Sequence, residues 1–194
     1  KTSGAKPGEI IYVTRGVGLE GTGILASDFT NEARKRGLTD QDIEEALKLL
    51  SSVSVVSQAL KLADLGATAM HDVTRGGIFE TLLEIGACSH ACMDVDQSKI
   101  PVPEVVQRFA NAFTFDPLKM ISSGTLVATL PPEACDAAEK AFESGPCKLF
   151  RIGVVTEGEG LCLRHGSEEQ HFMKIACEQD ELTRMWALLR PEGN

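Results

Sequence analysis

The stretch that most restricts how this chain can fold is residues 68–85, Thr-Ala-Met-His-Asp-Val-Thr-Arg-Gly-Gly-Ile-Phe-Glu-Thr-Leu-Leu-Glu-Ile. Residues 68–73 read as a short strand, Gly76 and Gly77 as a sharp turn, and a helix follows at once with Ile78, Leu82 and Ile85 on one side and Glu80 and Glu84 opposite. Without a Cβ, the two glycines let the backbone turn tightly and let a ligand come close to it. The helix behind them opens with unsatisfied N–H groups and the positive end of its dipole, and Arg75 adds a full charge beside them. An anion fits there, most simply a phosphate, and Asp72 and His71 can bring a carboxylate and an imidazole to the strand end. The same residues also suit a plain strand–turn–helix in which Arg75 pairs with a surface carboxylate and His71 is a hydrogen-bonded structural residue, and the pattern leaves both readings open.

Two further stretches carry glycines next to strands. Residues 9–14 are β-branched and alternating, and Arg15 to Gly23 then holds Gly16, Gly18, Gly21 and Gly23, predicting a turn that enters a helix over 23–36. Such a turn either leaves N–H groups uncovered for an oxyanion or a substrate edge, or simply redirects the chain. Asp116-Pro117 predicts a turn or helix start, and Ser122-Ser123-Gly124 before a strand over 125–130 offers two hydroxyls and bare backbone.

Between these motifs the pattern is regular. Thr39 with Asp42 forms a capping-box variant ahead of a helix to residue 50. Residues 53–65 predict another helix with Val56, Leu60 and Ala63 facing inward, closed by Gly66. A strand over 93–96, a helix over 104–113 after Pro101 and Pro103, and core positions for Phe109, Phe113 and Phe115 follow. A helix over 132–144, strands over 148–156 and 160–164 around a Glu-Gly-Glu-Gly turn, and an amphipathic helix over 178–189 complete the chain. Strands and helices are mixed, with hairpins expected late, so the fold class is α+β: one domain over 1–194, a mixed β-sheet with helices layered against it, rather than a doubly wound sheet.

A formal charge of −9 repels nucleic-acid phosphates and anionic lipid, so neither is expected as a partner. No apolar run reaches the ~18–20 residues of a membrane helix and no signal sequence opens the chain, which makes a cytoplasmic protein the expectation. The six cysteines include no CxxC pair and read as reduced thiols. Cys88-Ser89-His90-Ala91-Cys92 lacks a fourth ligand and its last cysteine falls in a strand pattern, so no metal site is expected.

His71-Asp72-Val73-Thr74-Arg75-Gly76-Gly77 ahead of the Leu-Leu-Glu-Ile helix resembles the signature of the C-terminal domain shared by aminoimidazole ribonucleotide synthetase, selenophosphate synthetase, thiamine-monophosphate kinase, formylglycinamide ribonucleotide amidotransferase and the hydrogenase maturation factor that makes a thiocyanate precursor of cyanide. Residues 6–26, the Lys-Ile-Pro-Val-Pro stretch at 99–103 and residues 115–133 resemble the maturation branch in the same order, so the likeness spans about residues 6–165. The resemblance implies a mixed-sheet fold and ATP-dependent activation of an oxygen on a small, carbamoyl or amide-type acceptor. ATP and Mg2+ would be held mainly by an N-terminal domain that also forms a homodimer. Lys1 stands where a start Met would, so this chain is expected to be the C-terminal half, inactive by itself.

By the same resemblance Asp72 and His71 are the catalytic candidates. Glu20, Gly21, Thr22, Thr74, Arg75, Gly76, Gly77, Ser123 and Gly124 are the candidates for substrate and phosphate binding. Two departures stand out: Ser123 replaces a glutamate of the maturation factor, and that factor's terminal cysteine has no counterpart, since Cys177 precedes the last predicted helix. A different or unknown acceptor follows. The alternative is a non-catalytic module of the same fold that binds a nucleotide, a phosphorylated metabolite or a protein partner.

Overall fold

The computed structural model describes residues 1–173 and 180–189. In chain order the elements are β1 (Ile10–Thr14), α1 (Leu19–Asp28), α2 (Thr30–Lys35), α3 (Asp40–Leu49), α4 (Val56–Asp64), β2 (Ala69–Asp72), α5 (Gly77–Ser89), β3 (Cys92–Asp96) and α6 (Glu104–Phe113). Then come β4 (Leu126–Leu130), α7 (Pro132–Glu143), β5 (Leu149–Thr156), β6 (Gly160–His165), β7 (Glu168–Phe172) and α8 (Glu181–Leu189). The strands form one sheet in the order β2-β4-β1-β5-β3-β6-β7. Among the described residues, β3 and β6 are the one neighbouring pair that runs parallel. A mixed sheet with helices against it is the α+β fold the sequence predicts.

Alternation along the strands decides which helix each face meets. Ile11 and Val13 of β1, with Val127 of β4, join Ile78, Leu82 and Ile85 of α5 in one core. Ile10 and Tyr12 point the other way, into a core with Leu62 of α4 and Ala138 and Phe142 of α7. Every residue of β1 and β4 is therefore buried. On the far side of the sheet Met93, Val95, Leu161, Leu163 and Phe172 still pack into the α5 core, but the opposite face of β3, β6 and β7 has no helix over it among the described residues. A third core lies among helices, without strand residues: Leu25 of α1, Ile43 of α3, Phe109 and Phe113 of α6 and Met185 of α8 pack beside the sheet with loop residues such as Phe115 and Met120. The tail helix thus docks on this domain.

Several predicted boundaries shift, each for a local reason. The helix expected over 23–36 begins at Leu19 and breaks at Phe29 into α1 and α2, so Gly21 and Gly23 lie inside a helix. A Cβ at Gly21 would overlap Met120 and one at Gly23 would overlap Leu50, so both glycines admit packing rather than expose backbone. The Thr39–Asp42 capping box forms in both directions. Helix α4 starts three residues later than 53, after a 3-10 turn at Leu50–Ser52, and buries Gln58 and Leu62 while Val56 and Leu60 face solvent at 64% and 63% exposure. Glu80, expected on the outer side of α5, is buried. The Glu-Gly-Glu-Gly turn does not close a simple hairpin: β3 inserts between β5 and β6, with Cys92 in register with both Thr156 and Gly160. The late hairpin is β6–β7, joined by Gly166 and Ser167, and β7 is a strand the sequence pattern did not reveal. The predicted segment 178–180 and Cys177 fall wholly or partly outside the described residues, and the described tail helix begins at Glu181.

Candidate functional site

β4 lies between β1 and β2 and runs antiparallel to both, so the ends of β1 and β2 and the start of β4 share one edge of the sheet. All three glycine-bearing motifs follow or precede those ends, and the structure ties them together. The Leu19 N–H donates to Ser122 Oγ at 3.0 Å, the Ser123 N–H to Glu20 Oε2 at 3.3 Å and the Gly21 N–H to the Ile121 carbonyl at 3.0 Å. Thr125 Oγ1 donates to the Gly16 carbonyl and shares a 2.8 Å hydrogen bond with Ser122 Oγ. The Val73 N–H reaches the Thr125 carbonyl at 2.9 Å, which brings in the end of β2. Ser122 and Thr125, both buried, are the struts that join the motifs. The sequence offers Ser122 for its hydroxyl, and Thr125 only as the first residue of a strand.

At the start of α5 the backbone takes left-handed values, φ 75° at Gly76 and φ 67° at Gly77. This is where glycine is required: a Cβ at Gly77 would overlap the Leu118 carbonyl oxygen, and one at Gly76 the Glu80 carboxyl group. The Gly77 N–H closes onto the Thr74 carbonyl at 3.1 Å. The Gly76 N–H donates to Asp180 Oδ2 at 3.0 Å, while Asp180 Oδ1 caps α8 by accepting from the Thr183 N–H at 2.7 Å and its hydroxyl at 2.6 Å. The predicted anion position is thus filled by a carboxylate of the chain itself, only 5% exposed, which no local pattern could flag. Burial pushes the Glu80 carboxyl above its ordinary range, Glu84 and Asp180 add to the rise, and Arg75 opposes it.

The predicted residues divide by environment. Arg75 and Asp72 are exposed, Glu20, Thr74 and Ser123 are half-buried, and Thr22 is fully buried with a hydroxyl that has no hydrogen-bond partner. Gly124, at φ 99°, lies against the Ser52 carbonyl that also accepts from the Arg15 guanidinium. His71 Nε2 sits 3.1 Å from a Glu84 oxygen on α5 and its Nδ1 is 2.6 Å from the Asp72 carbonyl, so its ring is engaged in tying β2 to α5. A groove of about 900 Å³ opens along the start of β5, with Lys99, Lys140, Lys148 and Arg151 among its lining. It begins beside the site, because the Lys148 carbonyl accepts the Arg15 N–H at 3.0 Å. Cys88 is exposed and Cys92 buried, and they do not gather with His90 into a metal-binding group. No single helix among the described residues is long and apolar enough to cross a membrane.

Residues 6–166 match the family described as AIR synthase related protein, C-terminal domain. Among individual proteins, the chain is 31% identical over 157 residues to a carbamoyl dehydratase HypE of Cupriavidus necator, covering 80% of this chain and 42% of that protein. It is 28% identical over 163 residues to a thiamine-monophosphate kinase of Halobacterium salinarum, covering 82% of this chain and 51% of the other. In three dimensions it superposes on a hydrogenase maturation protein HypE solved in complex with ATP with a TM-score of 0.68 at 24% identity, covering 95% of this chain and 55% of that one. The chain spans about half the length of the relatives it matches.

Proposed function

The chain belongs to the AIR synthase related family as a C-terminal domain, and from that premise we propose that it forms one wall of the cleft of an ATP-dependent enzyme that activates an oxygen on a small, carbamoyl or amide-type acceptor. The observation that carries this reading is the convergence of the Glu20, Ser123 and Arg75-Gly76-Gly77 motifs on one sheet edge, held there by Ser122 and Thr125. Phosphoryl transfer demands mainly positioning and neutralisation of charge, and these are residue types that supply both. That Asp180 already places a carboxylate on the Gly76 N–H supports the start of α5 as a place where an anion is held.

In this reading Arg75 neutralises phosphate oxygens of ATP, the Gly76 N–H orients them once the phosphate displaces the Asp180 carboxylate, and Mg2+ is carried mainly by a preceding domain of a dimeric protein. ATP, when bound, supplies the phosphoryl group that turns the acceptor oxygen into a leaving group. Ser123 cannot act as a carboxylate base, but its N–H holds the Glu20 carboxylate, which places an acidic group beside the position where the maturation factor carries its glutamate. Asp72, exposed at the end of β2, is the second carboxylate available to the acceptor, and His71 positions β2 through Glu84. A binding-only role is favoured by one feature: Asp180 occupies the anion position, with the Glu80 carboxyl group against Gly76 beside it.

Mg2+-dependent ATP hydrolysis by the protein made from its full reading frame, with candidate carbamoyl and amide acceptors, separates the two. The enzyme reading expects turnover that Arg75→Ala reduces, and none from the 194-residue chain alone. No turnover with any acceptor in the long form would leave the binding role.

A further inference from the structure

The face of β3, β6 and β7 turned away from α5, over which no helix lies among the described residues, carries a cluster of its own. Leu161 and Leu163 of β6 and Phe172 of β7 point into the α5 core, so alternation sends Cys162, Glu169 and His171 to the opposite face. Cys162 and His171 are directly opposed across the β6–β7 hairpin, and Glu169 is two residues before His171 on the same side. One donor atom from each, a sulfur, a ring nitrogen and a carboxylate oxygen, lies within 4.8 Å of the other two. We propose that Cys162, Glu169 and His171 form a binding site for one divalent metal ion of the zinc class.

The donor chemistry selects the ion. A thiolate and an imidazole suit borderline and soft cations such as Zn2+, whereas Mg2+ and Ca2+ take oxygen ligands. A tetrahedral zinc ion with bonds of about 2.0–2.3 Å needs donors roughly 3.3–3.8 Å apart, within a small side-chain rotation of the present arrangement. Glu169 Oε1 and His171 Nε2 now share a 2.7 Å hydrogen bond, and a metal ion would take the place of the shared proton, with the thiol proton passing to solvent. Cys162 is only 5% exposed, so packing fixes its sulfur, while His171 and Glu169 have side chains 61% and 49% exposed and leave a path of entry. Asp94 faces Cys162 in register on β3, paired with Arg164, and brings a further negative charge to the neighbourhood. Three protein ligands leave the fourth tetrahedral position to water, and neither ATP nor any residue assigned to the sheet-edge site takes part.

The test is calorimetric titration of Zn2+ into the chelator-treated 194-residue chain, kept reduced without thiols, beside the Co2+ absorption spectrum. The expected result is one equivalent bound and a thiolate-to-cobalt charge-transfer band. Cys162→Ser should abolish the band, and His171→Ala and Glu169→Gln should weaken affinity by more than the roughly 10–100-fold typical of losing an outer-shell partner. The last two change exposed side chains, so unchanged circular dichroism separates lost binding from lost folding. Cys88→Ser should leave binding as it was. Failure to take up one equivalent, or uptake indifferent to His171→Ala and Glu169→Gln, overturns the proposal.

Discussion

The β2-β4-β1 half of the sheet is covered on both faces, by α5 on one side and α4 and α7 on the other, whereas among the described residues α5 is the helix that packs on the β3-β6-β7 half. The covered half carries the family motifs at its edge, and there the geometry is made by backbone: positive-φ glycines, carbonyls and N–H groups held by buried hydroxyls. The open half brings chemical groups together by strand register alone, as the facing of Cys162 and His171 shows. A site built from packed backbone tolerates almost no added volume, while one built from side chains on an open face tolerates much more.

That contrast can be broken most severely at Gly77. Gly77→Ala puts a Cβ onto the Leu118 carbonyl at a left-handed φ and should cost about 2–5 kcal/mol. Gly166→Ala in the β6–β7 turn, also left-handed but with open space around it, should cost only about 1 kcal/mol. Thermal melts of the two variants compare the halves directly, and equal losses would show the contrast to be false. Next in size, Ile11→Ala in the doubly covered β1 should cost about 2–5 kcal/mol in urea unfolding. Leu163→Ala, half-buried on β6, should cost less than half as much.

A smaller effect is expected at Asp180. Removing its carboxylate in Asp180→Ala uncaps α8 and orphans the Gly76 N–H, a loss of about 1–2 kcal/mol, and should also strengthen inorganic phosphate binding because the anion position is vacated. Weaker phosphate binding in that variant would contradict the assignment. The smallest effect concerns pH. Burial holds the folded Glu80 carboxyl above its ordinary 4.5, so the folded state keeps this proton longer than the unfolded chain does. Its contribution therefore falls as pH rises from the ordinary value through the raised one. Glu80→Gln should be the more stable form at neutral pH and should converge on the parent in acid, as chemical denaturation across pH would show.

Local patterns made much of this legible. The Thr39–Asp42 capping box, the glycines at 76 and 77 and the run from Glu104 to Phe113 formed as written, because each rests on neighbours in sequence. On α4 two apolar stripes compete, Val55-Ala59-Leu62 and Val56-Leu60-Ala63. They are one residue apart, a rotation of about 100°, and only the covering core decides between them. The insertion of β3 between β5 and β6 was not legible because a turn reports its own geometry and not which strand will fill the gap. Asp180 lies 104 residues from the Gly76 N–H it meets, beyond the reach of any motif.

The most direct test of the sheet-edge site is a titration of the protein with inorganic phosphate and then Mg2+-ATP, followed by the backbone amide resonances. The account predicts that Gly76, Gly77, Gly21 and Ser123 shift together and saturate at one concentration, more readily in Asp180→Ala. Shifts confined to the groove residues Lys99, Lys148 and Arg151, with those four amides unmoved, would place anion binding in the groove and contradict it.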